Sequence, residues 1–100
     1  MKKLSEVLKL EEKNDAFLYF KVVGSHTDPD RDKALAMCGL DGRETFIRVM
    51  LDEGKIIAVT CWYTARIPEN TLTFYFTDPD PLLKYMHTSL TEALKELQLI

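Results

Sequence analysis

Residues 43–64 read Arg-Glu-Thr-Phe-Ile-Arg-Val-Met-Leu-Asp-Glu-Gly-Lys-Ile-Ile-Ala-Val-Thr-Cys-Trp-Tyr-Thr. Two runs rich in β-branched and aromatic residues flank Asp52-Glu53-Gly54, a short turn ending in the residue type that takes positive φ without strain. Thr45, Ile47, Val49 and Leu51 share one face of the first run, and Ile57, Val59, Cys61 and Tyr63 one face of the second. The pattern predicts a β-hairpin with an apolar face, its strands over 43–51 and 55–65. The rest of the chain is read as built on it.

Just upstream, Asp41-Gly42 is a two-residue hairpin signal when strands flank it. It favours a strand over 33–40. A helix from about 29 to 38 competes, with Asp28 as N-cap, Pro29 as first residue and Gly39 as the stop. Ala34 and Ala36 suit that helix better than a strand. The Asp-Gly signal decides for the strand. Further upstream, residues 16–23 form a strand with apolar residues on both faces: Phe17 and Tyr19 on one, Leu18 and Phe20 on the other. Residues 3–13 read as a helix on the row Leu4, Val7, Leu8 and Glu11.

Downstream, Ile67-Pro68-Glu69-Asn70 is a turn. Residues 71–77 make a fifth strand with Leu72, Phe74 and Phe76 on one face. Asp78-Pro79-Asp80-Pro81 opens a helix to about residue 98, with Asp80 as N-cap, Pro81 first, and a stripe from Leu82 and Leu83 to Leu97. Thr-Asp-Pro-Asp occurs at both 27–30 and 77–80, a coincidence of turn chemistry. Residues 1–100 therefore read as a single α+β domain. An antiparallel β-meander of about five strands stands between an N-terminal and a C-terminal helix, as a two-layer sandwich.

The totals bound the function. A chain of 100 residues, 46% hydrophobic and 29% charged, buries a core without metal or disulfide staples. Its net charge of −3 and pI of about 5.3 disfavour nucleic acid as a partner. No apolar run approaches the ~18 residues of a membrane span. The first residues lack the apolar core of a secretory signal. With no disulfide framework either, the expected location is the cytoplasm.

Chemistry-bearing residues are few. Asp28, Asp30 and Asp32 have the alternate spacing of calcium ligands, but the EF-hand places for Gly and Glu hold Lys33 and Gly39. His26 and His87 stand in no triad or metal pattern, and neither Cys38 nor Cys61 lies in a CxxC. There is no phosphate loop and no nucleophile elbow. No catalytic residue, metal or cofactor is expected.

Hairpin registry gathers Ile47, Val49, Leu51, Ile57, Val59 and Cys61 on one face, with Ala34, Ala36 and Cys38 beside them. Pairing residue 51 with 55 sets 45 opposite 61, which puts Cys38 and Cys61 about two strand spacings apart, too far for a disulfide. Both terminal helices should pack there. The other face carries Phe46, Arg48, Met50, Ile56, Trp62 and Arg66. A solvent-facing sheet surface normally reads polar, whereas this mix of aromatics, Met and Arg has the composition of an interface core. Those six residues are the candidate site. The expectation is a small adaptor-, chaperone- or inhibitor-like module that binds a protein partner or forms a homodimer. A single-stranded nucleic-acid sheet is the alternative, since Arg48, Arg66, Phe46 and Trp62 resemble a stacking platform. A small enzyme or ligand carrier is a third reading.

Overall fold

The computed structural model describes residues 2–63 and 71–100. Its elements are α1 (Leu4–Val7), β1 (Leu8–Lys13), β2 (Phe17–Val22), α2 (Pro29–Ala36), β3 (Phe46–Asp52), β4 (Lys55–Trp62), β5 (Leu72–Tyr75) and α3 (Pro81–Glu96). The strands form one antiparallel sheet in the order β1-β2-β3-β4-β5. The expected α+β meander with a helix near each end is present. Its first strand and its middle helix are not where the residue patterns put them.

The helix expected over 3–13 ends at Val7, and residues 8–13 are strand instead. Glu6 accepts from the Lys3 N–H at 2.6 Å and closes the single turn. Leu8 then faces Val22, and Leu10 faces Phe20. An isolated helix of that length is marginal, while the ladder satisfies the open edge of β2. Asn14 closes the β1–β2 turn by accepting from the Ala16 and Phe17 N–H groups at 2.8 and 2.9 Å.

The strand expected over 33–40 is also overturned, and the competing helix is what forms. Asp28 accepts from Asp30 N–H at 3.0 Å, and Pro29 follows as the first residue. Gly39 has φ +83°, and the Leu40 N–H reaches back to the Leu35 carbonyl at 3.0 Å. That closure around a left-handed glycine terminates helices. Asp41-Gly42 becomes loop, with the Asp41 carboxylate accepting from Arg43 N–H at 2.8 Å.

Arg31, 1% exposed, fastens α2 to the sheet. Its Nε donates to the Val23 carbonyl at 3.3 Å and its Nη2 to the Glu44 carbonyl at 3.2 Å. Its Nη1 serves both the Gly42 carbonyl and, at 2.8 Å, the Asp32 carboxylate. A buried guanidinium is tolerable because its donors are used.

The hairpin turn has two residues, Glu53 (φ 51°) and Gly54 (φ 77°), with Asp52 opposite Lys55. Positive φ at both places is the turn geometry that matches strand twist. Met50 faces Ala58 but Leu51 faces Ile56, so Ile57 is an extra, bulged residue. The expected pairing of 51 with 55, and of 45 with 61, is therefore corrected: Cys61 faces Ile47. The bulge also exchanges two side chains. Ile56 joins the core and Ile57 turns outward, 39% exposed.

The core lies on one side of the sheet. Leu18, Phe20, Ile47, Val49 and Val59 pack with Leu35 of α2 and with Met86, Leu90 and Leu94 of α3. Asp80 caps α3 by accepting from Leu82 N–H at 2.9 Å. Leu82 itself points to solvent, 73% exposed, so it is not part of the stripe. Cys38 sits past the end of α2, not on a strand, and both cysteines are free and buried.

Candidate interaction face

The second sheet face is built by three cross-strand rows. Lys21, Phe46 and Trp62 form one; Tyr19, Arg48, Thr60 and Thr73 the next; Phe17, Met50, Ala58 and Tyr75 the third. The described helices send their buried side chains into the core on the opposite side. Strand alternation alone puts these residues together.

The rings of Tyr19, Phe46 and Trp62 form a cluster. Tyr19 and Trp62 lie 5.7 Å apart, Tyr19 and Phe46 6.0 Å, and Phe46 and Trp62 5.9 Å with 19° between planes. Such pairs contribute about 0.5–1.5 kcal/mol each beyond area burial. Arg48 stands over Phe17, its Cζ 6.0 Å from the ring centroid. Trp62 is only 4% exposed. Phe46, Arg48 and Met50 are half-buried.

Of the six residues expected to form the site, Phe46, Arg48, Met50 and Trp62 do share this face. Ile56 does not, because the bulge turns it into the core. Arg66 lies outside the described residues. Phe17 and Tyr19 belong to the face but were not among the six. Their alternation along 16–23 was the available signal, and what it lacked was the registry of β2 with β3. Glu44 is buried with its carboxyl against the Cys61 thiol. That removes one negative charge from the aromatic face. Burial, with help from Glu11 and Glu12, pushes the Tyr19 hydroxyl above its ordinary pKa.

The remaining candidates resolve into structural roles. Asp28 caps α2 and pairs with Lys2 at 2.6 Å. The Cys38 thiol donates to the Leu35 carbonyl at 3.0 Å, and burial pushes its pKa up to about 12. Burial, then the Glu44 carboxylate, does the same for Cys61. Neither is a thiolate at neutral pH. His87 meets the Phe76 ring edge-on at 4.9 Å, in a cleft it shares with Asp78 and Asp80, and Asp80 is occupied as the α3 cap. Among the described residues, no three His, Cys, Asp or Glu side chains are grouped to hold a metal ion. No helix of the described residues is long and apolar enough to cross a membrane. No known protein family, curated protein or solved structure matches this chain.

Proposed function

We propose that this chain is a small cytoplasmic interaction module that binds a protein partner through its second sheet face, in the economical case a second copy of itself. The observation that carries the reading is the Tyr19–Phe46–Trp62 cluster beside Arg48, on a face that no described helix occupies. Aromatics, Met and Arg are enriched where interfaces are driest. A two-fold pairing would bury the same patch on both subunits. Single-stranded nucleic acid fits less well, given the net charge of −3 and Glu12 opposite Tyr19.

Light scattering across a concentration series tests the reading. The wild type should approach twice 11.5 kDa. Met50→Glu, a charge on the central strand of the face, should stay monomeric with an unchanged circular dichroism spectrum. A wild type that remains monomeric at millimolar concentration refutes self-association.

A further inference from the structure

We propose that a hollow in this same face is a binding site for a small aromatic carboxylate. The proposal shares the second sheet face with the reading above but does not require two copies to pair. The hollow has a volume of about 280 Å³, at the small end for ligand pockets and suited to one ring rather than a fused system. Phe17, Tyr19, Arg48, Thr60 and Trp62 line it, and Glu12 contributes to its wall.

Two donors in these walls have nothing to donate to among the described residues. Arg48 Nε and Trp62 Nε1 are buried with no hydrogen-bond partner among the described residues. A buried donor left unmet is costly, and an acceptor that reaches it recovers that cost. The two residues occupy diagonal positions on adjacent strands, because Arg48 faces Thr60 and Trp62 lies two residues further on. Diagonal neighbours are within reach of long side chains, so one acceptor group can serve both. The ion pairs among the described residues use Arg31, Arg43 and Lys2, and leave Arg48 without a carboxylate.

The ligand class follows from these walls. Indole N–H can only donate, and a guanidinium prefers a planar two-oxygen acceptor. That describes a carboxylate. Phe17, Tyr19 and Trp62 supply ring surfaces for an aromatic body. Glu12 disfavours a second negative charge, so the ligand is a monoanion.

The test uses the single tryptophan of the chain, whose indole N–H gives one resonance in a ¹⁵N-labelled sample. Benzoate is titrated into wild-type protein, with benzamide and acetate as controls, at a concentration where light scattering reports monomer. The expected result is a saturable shift of that resonance, with benzoate binding at least tenfold tighter than either control. Arg48→Gln should weaken benzoate at least tenfold. No shift with benzoate, equal binding of acetate or benzamide, or unchanged affinity in a folded Arg48→Gln overturns the proposal. Should Arg48→Gln fail to fold, the three-probe comparison on the wild type decides alone. Benzoate binding by a protein that never dimerises would sink the pairing and leave the cavity standing, and the converse holds equally.

Discussion

Arg31 Nη2 donates to the backbone carbonyl of Glu44 at 3.2 Å, across a separation of 13 residues. With the bonds to Val23 and Gly42 it joins α2 to the end of β2 and to the segment that leads into β3. Arg31→Lys keeps the charge but cannot fork to several carbonyls. It should destabilise the fold by about 2–4 kcal/mol, because buried carbonyls and a buried charge lose partners. The midpoint and slope of urea unfolding together read this, and a loss below about 1 kcal/mol would remove Arg31 from its role.

Glu44 should make stability fall as pH rises. Burial, followed by the Asp41 charge, raises its pKa above the ordinary 4.5, against smaller opposing effects of Cys61 and Arg43. A carboxyl with a raised folded-state pKa costs nothing below 4.5. The penalty grows as pH climbs from there through the raised value and is constant above it. Glu44→Gln should therefore be more stable than wild type at pH 7, and the gain should fade toward pH 4. A difference independent of pH would contradict this. The Asp28 pKa, lowered by its partner Lys2, gives the opposite slope but cancels between the two proteins.

Neither cysteine should react in the native state. Both thiols are buried with pKa values of about 12. Titration with a chromogenic disulfide reagent should find no reactive thiol in buffer and both in urea. Rapid modification of the folded protein would show that the core opens locally around one of them.

Gly39→Ala should cost about 1–2 kcal/mol, the penalty for an L side chain in the left-handed region. The position has φ +83° and ends α2. A substitution at Ala36, one turn earlier in that helix, to Gly should cost about half as much. Thermal unfolding of the two variants gives the order.

The hairpin and α3 were legible because several signals agree in each. In α3 the Asp80 cap, Pro81 and the stripe Leu83, Met86, Leu90 and Leu94 name the same element. Residues 3–13 carried no such agreement. Leu4, Val7 and Leu8 suit a helix, while Leu8 and Leu10 alternate as a strand does, and the pairing with Val22 and Phe20 decides. At 29–40 two local signals conflicted, and the Asp28 cap with the Gly39 stop prevailed over Asp41-Gly42. Arg31 was invisible as a core residue, since a charge in an Asp-rich stretch reads as solvated surface. The bulge at Ile57 left no mark in composition. That single residue is why Ile56 was assigned to the wrong face while Phe46, Arg48, Met50 and Trp62 were grouped correctly.

The most direct test of the central claim is a map of amide chemical shifts against protein concentration. Pairing through the second sheet face predicts shifts confined to the rows of Tyr19, Phe46, Arg48, Met50, Trp62 and Tyr75, abolished in Met50→Glu. Shifts centred instead on Leu82 and Tyr85, the exposed apolar residues of α3, or a spectrum that does not change with concentration, would contradict it.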